Sequence, residues 1–223
     1  MKNIFVLLTL TLTTLFSKAQ SNFRMGVNYS FGASTYYGNK MNTMEMNGSE
    51  MPVYSLKLSS GMGAKFQYSI KEKWAINLNG SYQQRGAIFD KGMYSYNPRY
   101  KFNYLDLAFG TSYQTKEVIG KSRLCFSVAG TYNLLLNSLR VNNYESYNLI
   151  NDSKISDFGA FASVGLNIPR VEKDVIQLSL FTNAGFKNVF SGVLLDNGMV
   201  GKNLLFGVQI GYLFGFNKKT KKE

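Results

Sequence analysis

The sequence predicts an all-β protein: an eight-stranded antiparallel up-and-down transmembrane β-barrel. Three observations predict this fold. Apolar residues alternate with small or polar ones over eight stretches, the links between the stretches alternate in length, and no apolar run after residue 20 is long enough for a membrane helix. The composition of 21 Gly, 15 Tyr and 17 Phe against 3 Pro is also typical of a chain of strands and turns.

Residues 1–19 are predicted to be a secretory signal peptide. Lys2 gives a basic start, residues 4–16 form an apolar run, and Ser17 and Ala19 are small residues at the two cleavage-determining positions. Cleavage there would leave Gln20 first in the mature chain, and because no Cys follows the cut, a lipid anchor is not expected. The alternative, an apolar strand or helix of the folded domain, is disfavoured.

Eight strands are predicted in order within a barrel domain of residues 20–216. They cover residues 23–32, 56–68, 74–85, 105–113, 124–134, 158–168, 176–187 and 204–216. Each stretch has a period of two, as expected where the two faces of a strand meet different environments. The last stretch alternates for thirteen residues, which is longer than an ordinary strand of about five or six residues and fits a strand tilted across a bilayer.

The C-terminal stretch also resembles the signal by which bacterial outer-membrane barrels are recognised for insertion, which implies the barrel-assembly machinery as a partner. This predicted insertion signal comprises Gln209, Gly211, Phe214 and Phe216. Residues 217–223 contain four Lys and are predicted to be a basic, solvated periplasmic tail.

The links between the strands alternate between short and long. Short links fall near residues 71–73, 116–121 and 169–174, and long ones cover about 38–54, 90–101, 140–156 and 191–202. Short periplasmic turns and long extracellular loops are typical of outer-membrane barrels. The even strand count then predicts that both termini lie in the periplasm.

A soluble lipocalin-like carrier also alternates and is also secreted. Its outer face should carry many charges, whereas the polar face here is mostly Gly, Ser and Asn, which suits a narrow, packed interior. Aromatic residues gather towards the ends of the apolar face, as in the interfacial girdles of membrane barrels. They are Tyr68, Trp74, Tyr113 and Phe126 near the short turns, and Tyr36, Tyr82 and Tyr132 near the loops.

Charge and chemistry exclude several functions. The formal net charge is +12, but the basic residues are scattered and an exported chain seldom meets nucleic acid, so no nucleic-acid partner is expected. The chain has no histidine, the usual base of small outer-membrane enzymes. We therefore predict that it is not an enzyme and holds no metal or cofactor. Cys125, the single cysteine, is predicted to be a small inward packing residue.

Strand parity places a set of charged side chains inside the barrel. The predicted polar network of the lumen comprises Arg24, Lys65, Arg85 and Asp106, and Lys57 and Lys187 share its inward parity. Because eight strands leave room for side chains rather than a channel, we expect an ion-paired, hydrogen-bonded filling. An anion-selective lumen is the alternative. The loop acids match no calcium-loop spacing and are predicted to be solvated; they are Glu45, Glu50, Glu145, Asp152 and Asp157.

Several short motifs, taken together, resemble the PorT-like outer-membrane β-barrel family of Bacteroidetes. The motifs are Ala19-Gln20, residues 25–28 (MGVN), residues 103–107 (NYLDL), Phe158-Gly159 and residues 211–214 (GYLF). The resemblance covers nearly all of the mature chain and implies an OmpA/OmpX-type barrel and a role accessory to protein secretion. No residue matches a functional motif of that family.

The sequence therefore predicts an integral protein of the cell outer membrane with a structural or interaction role in the envelope. Its expected partners are outer-membrane lipid, the barrel-assembly machinery and envelope or secretion proteins. A narrow small-solute pore is the main alternative, and a secreted lipocalin-like carrier is a weaker one.

Overall fold

The computed structural model describes residues 22–37, 54–89, 99–141, 145–170, 174–191 and 201–216. The described strands are β1 Phe23–Tyr37, β2 Tyr54–Ser55, β3 Lys57–Ser69, β4 Trp74–Phe89, β5 Arg99–Ile119, β6 Ser122–Val141, β7 Ser146–Asn148, β8 Ser156–Pro169, β9 Val175–Gly185 and β10 Lys202–Gly215. A short 3₁₀ helix covers Ile150–Asp152. The predicted signal peptide, the basic tail, Glu45 and Glu50 lie outside the described residues.

The strands close into a barrel. The long strands β1, β3, β4, β5, β6, β8, β9 and β10 pair antiparallel in chain order. Pairing of β1 with β10 completes the wall. The predicted eight-stranded, antiparallel, up-and-down barrel is therefore confirmed. The end of the barrel with links at residues 70–73, 120–121 and 170–174 is the turn end, and the opposite end is the loop end.

β5 and β6 show the largest excess over the strand lengths that the sequence predicted. β5 has 21 residues and β6 has 20, because their pairing continues to Ile119–Ser122 and leaves a turn at Gly120 and Lys121. Gly120 has φ +57°, a left-handed conformation that glycine adopts without strain. The short strands β2 and β7 were not predicted. At the loop end β2 pairs with β4, and β7 pairs with β6.

A bulge in β6 changes which residues face inward. Tyr104 pairs with Leu135 and Asn103 pairs with Asn137, so Leu136 is an extra residue in the ladder. Inward positions are odd before Leu136 and even after it, and Ser138 is buried. This reversal ends the simple alternation that predicted the strand.

The outward face is apolar and the inward face is mostly small or polar, as the parity of the sequence predicted. Val128 is 62% exposed and Leu107 is 47% exposed, whereas their inward neighbours on the same strands are less accessible. Gly32 and Gly207 face each other in the β1–β10 ladder. A Cβ at Gly32 would lie 2.0 Å from the carbonyl oxygen of Phe206, so this close approach of the two strands requires glycine.

Aromatic side chains lie at both ends of the outward face. At the turn end the rings of Trp74 and Tyr113 are 5.1 Å apart, and at the loop end those of Tyr132 and Phe158 are 5.2 Å apart. The prediction for Tyr36 was wrong, because this residue is buried inside the barrel. Its ring fills the loop end of the lumen and does not belong to an outer girdle.

One carboxylate holds the β8–β9 link against the end of β10. The Tyr212 hydroxyl donates to Asp174 Oδ2 at 2.6 Å, and the backbone N–H of Gly215 donates to Asp174 Oδ1 at 2.9 Å. These hydrogen bonds hold the pKa of the Asp174 carboxyl below its usual range. The contact ties a turn to the closing strand at the turn end.

Candidate functional site: the filled lumen

An aromatic plug closes the loop end of the lumen. It consists of Tyr36, Ala87, Tyr100, Phe102, Tyr104, Leu135, Leu149, Val189 and Phe190. The Tyr36 ring meets Phe190 at 5.3 Å and Phe102 at 5.9 Å, both edge to face. Phe102 and Phe190 are 0% exposed, so the plug excludes water where these rings meet. Leu149, Val189 and Phe190 come from outside the long strands and fold back into the barrel mouth.

An ionic layer lies next to the plug. Arg85 is 0% exposed, and its Nη2 donates to Asp106 Oδ2 and, at 3.4 Å, to Asn133 Oδ1. Its guanidinium lies 5.2 Å from the centre of the Tyr104 ring, and the Tyr104 hydroxyl accepts from Asn203 Nδ2 at 3.1 Å. Within the described ranges, Arg85–Asp106 is the one ion pair found.

Asp157 lies in the loop-end half of the lumen, with the plug and the ionic layer. The prediction that it is a solvated loop acid was wrong. It is 2% exposed, and its Oδ1 accepts the backbone N–H groups of Phe186 and Lys187 at 3.2 and 2.9 Å. The inward assignment of Lys187 was also wrong, since its amine lies outside, 4.6 Å from the centre of the Phe158 ring. Extending the alternation of β8 back by one residue would have placed Asp157 inward.

An apolar belt follows towards the turn end. The Phe161 and Phe181 rings stack at 5.9 Å, and Ala108 and Leu205 are buried. The belt covers the β5, β8, β9 and β10 side of the lumen, whereas the inward face of β4 is polar from Asn77 to Arg85. Arg85 is paired with Asp106 towards the loop end, and Arg24 and Lys65 donate to Gln67 and Gln177 towards the turn end.

The turn-side polar layer is built from amides and two of the predicted cations. Lys65 Nζ donates across the lumen to Gln177 Oε1 at 2.8 Å, and Gln177 Nε2 donates to Asn167 Oδ1 at 2.8 Å. Arg24 Nη1 donates to Gln67 Oε1 at 3.5 Å. Cys125 is buried nearby on the inward face, with its Sγ 3.8 Å from Ser127 Oγ. The hydrogen bonds join β1, β3, β8 and β9 and fill the interior.

Lys57 lies inside at the loop end, where the regular pairing of β3 with β4 stops. Its Nζ donates to the Leu58 carbonyl and to Gln84 Oε1, both at 3.3 Å. The ladder ends at Gly61–Gln83 and resumes only through β2. The ammonium therefore supplies a hydrogen bond to a backbone carbonyl beside this interruption.

The residues of the predicted insertion signal lie on both faces of β10 and just beyond it. Gln209 and Gly211 face inward, and Phe214 and Phe216 are exposed on the apolar face. The Phe216 ring stacks 5.8 Å from Phe23 at the turn end. Their recognition by assembly machinery stays a prediction.

The described part of the chain contains no group of three or more His, Cys, Asp or Glu residues placed to hold a metal ion. Across the same ranges, no helix is long and apolar enough to cross a membrane. Arg24, Lys57, Lys65, Arg85 and Asp157 each make at least one hydrogen bond in the lumen, and Arg85 is also ion-paired. The site is best described as a packed polar interior.

The fold and its interior define a closed eight-stranded β-barrel with an apolar outer wall. Among solved structures, the chain is similar to the outer membrane protein OprG from Pseudomonas aeruginosa, with 10% identity over 87% of this chain and 97% of that chain and a TM-score of 0.48. It is also similar to Ail, the attachment invasion locus protein of Yersinia pestis. The identity is 13% over 86% of this chain and 99% of that chain, and the TM-score is 0.42. The outer membrane protein W of E. coli is 14% identical over 87% of this chain and 98% of that chain, with a TM-score of 0.39.

No protein-family model matches the chain, and no curated protein sequence matches it. At such low identities and scores, the likeness to the solved barrels is one of general fold and carries nothing about function.

Proposed function

We propose that this chain is an integral outer-membrane β-barrel with a structural or interaction role in the cell envelope, and that it is not an enzyme. The observation that carries the proposal is the inversion of the usual polarity of a soluble protein. The wall exposes Val27, Leu58, Leu107, Val128 and Leu180, while the interior holds amides and an ion pair. Lipid is the environment that suits such a wall, and a soluble carrier would need the opposite arrangement.

We propose further that the turn end faces the periplasm. Phe23 and Phe216, near the two ends of the barrel sequence, lie at the turn end, as expected for an even strand count. At the loop end, Lys187 and Lys202 lie over outward aromatic rings, those of Phe158 and Tyr37. An ammonium above an aromatic ring suits the boundary between hydrocarbon and anionic headgroups.

The proposed role in protein secretion rests on the sequence alone. The PorT-like resemblance, carried by such motifs as residues 103–107 and 211–214, supports a role accessory to protein secretion. Under this proposal the long loops or the turn end would contact envelope or secretion proteins. Crosslinking in the envelope followed by mass spectrometry would identify them.

The location is tested by fractionation. We expect the mature chain to begin at Gln20, to be recovered with the outer membrane, and to migrate faster in electrophoresis unheated than boiled, because a closed barrel stays compact in detergent. Recovery in the soluble periplasmic fraction would contradict the proposal.

Trp74 gives an independent readout of the same expectation. It is the one tryptophan of the chain, and it lies on the outward face at the turn end. In vesicles, lipids brominated near the headgroup should quench its fluorescence more than lipids brominated near the chain ends. Equal and weak quenching by both would place Trp74 away from the bilayer.

A narrow pore is the second candidate, because Lys65 and Arg85 place positive charge in the lumen. We expect no steady conductance in planar bilayers, since the aromatic plug and the ionic layer both lie across the lumen. Arg85→Ser combined with Lys65→Ser should open a leak or lower stability. Steady wild-type currents that disappear in this variant would instead establish the pore.

A further inference from the structure

A small cavity lies in the turn-side half of the lumen, and no part of the proposed function uses it. Its volume is about 30 Å³, enough for one or two waters or for one monatomic ion. Ala108 and Phe161 of the apolar belt form part of its wall. Its polar lining consists of Lys65, Asn77, Asn79, Thr111, Ser127 and Gln209.

Hydrogen bonding leaves this cavity rich in donors. Asn77 Oδ1 accepts from Gln67 Nε2 at 3.1 Å, and Asn79 Oδ1 accepts from Asn28 Nδ2 at 2.7 Å. Because each amide oxygen is engaged, each amide has its NH₂ group left as a donor. Neither nitrogen has an acceptor among the residues that the structure describes. The two side chains therefore present hydrogen-bond donors rather than acceptors to a ligand.

The cavity also carries a positive charge that the neighbouring side chains do not neutralise. Lys65 Nζ donates to Gln177 Oε1, which is a neutral amide oxygen. In the described part of the chain no carboxylate pairs with Lys65, and Asp106 is already paired with Arg85. Lys65 is half-buried, and an ammonium that is largely removed from bulk water is costly unless an opposite charge compensates it.

We propose that this cavity binds one monatomic anion, namely chloride. The ammonium of Lys65, the NH₂ groups of Asn77 and Asn79 and the hydroxyl of Ser127 would supply its ligands. The cavity has room for one or two waters, which suits a monatomic anion. The ion serves as a counter-ion within the fold, so this inference holds whatever the barrel does in the envelope.

The test compares salts at equal ionic strength, so that general screening is constant. The purified full-length mature barrel is refolded in detergent micelles, and its unfolding midpoint is measured in sodium chloride, bromide, sulfate and gluconate. We expect the midpoint to rise with halide concentration, as for any ligand that binds the native state alone. We expect no such rise in gluconate, whereas sulfate, which is excluded from protein surfaces, should raise the midpoint without saturating. Identical midpoints in the halides and in gluconate would overturn the proposal.

Two variants and one measurement locate the effect. Lys65→Gln should lose the halide dependence, and Lys154→Gln, which removes an exposed cation at the loop end, should keep it. If both variants or neither lost the halide dependence of the midpoint, the salt effect would not arise at this cavity and the proposal would be overturned. Crystals of the wild-type protein grown in bromide give a readout that does not depend on the folding of Lys65→Gln. An anomalous peak beside Lys65 Nζ is expected, and an ordered water in its place would overturn the proposal.

Discussion

Asp106→Asn is expected to destabilise the barrel by about 3–5 kcal/mol, the usual cost of leaving one partner of a buried ion pair without its counter-charge. Arg85 is fully buried, and its Nη2 donates to Asp106 and more weakly to Asn133. Its Nε and Nη1 atoms have no partner among the described residues, so the carboxylate provides most of its compensation. Urea unfolding of the barrel in micelles would measure the loss.

The matched control removes both charges together. Arg85→Met with Asp106→Leu leaves no uncompensated ion in the layer, and it should cost less than Asp106→Asn alone, provided that the new side chains fit the space. A single variant as stable as the wild type would show that the ion pair contributes little. In that case Asp157, also buried in this half of the lumen, would be the main counter-charge of Arg85.

Val128→Arg is expected to cost about 2–4 kcal/mol, the range measured for Arg on the lipid face of a barrel at the bilayer midplane. Val128 faces outward on β6 between the aromatic residues Phe126 and Tyr132 and is 62% exposed. Leu107→Arg, on the neighbouring strand β5, should lower the free energy of unfolding by a similar amount. The free energy of unfolding in lipid vesicles is the quantity to measure, because detergent would give the arginine access to water.

Phe186→Arg is the matched control for this prediction. Phe186 is also exposed, but it lies just beyond β9 at the loop end, beside Lys187. Arginine near the interface should cost only about 0–1 kcal/mol. Equal costs at Val128 and Phe186 would mean that the wall does not meet a hydrocarbon layer. Inward Ser127→Ala should cost about 0.5–1.5 kcal/mol as the loss of one hydroxyl, and a larger cost there than at Val128 would invert the two faces.

The alternation of the sequence predicts the wall well because its two faces meet different surroundings along most of the barrel. It fails at the loop end, where the interior is itself apolar. Tyr100, Phe102 and Tyr104 of β5 point inward into the plug and alternate with Arg99, Lys101 and Asn103, so the apolar face is inside and the polar face outside in this part of the strand. The prediction therefore began the strand at residue 105, and Tyr36 was assigned to the wrong side for the same reason.

The interior was predictable in its composition but not in its connections. Parity correctly placed Arg85 and Asp106 inside, since their neighbours alternate regularly. It could not show that Arg85 pairs with Asp106 while Lys65 donates to Gln177 on β9, because parity gives the face of a residue and not its partner. Asp157 was missed because the predicted strand began one residue too late, at Phe158. Its hydrogen-bond donors, backbone N–H groups 29 and 30 residues away, could not have been predicted from a local pattern.

The seam between β1 and β10 has a consequence for how the molecule is made. Met25 pairs with Phe214 and Tyr36 with Asn203, so the contacts that seal the cylinder join the two extremes of the barrel sequence. Such a high contact order slows folding, because chain entropy must be lost before these pairs form. Until β10 has been synthesised, β1 and β9 each present an unsatisfied strand edge that invites aggregation. The nascent chain would therefore need a holding chaperone, and truncation before residue 202 should yield an insoluble product rather than a smaller barrel.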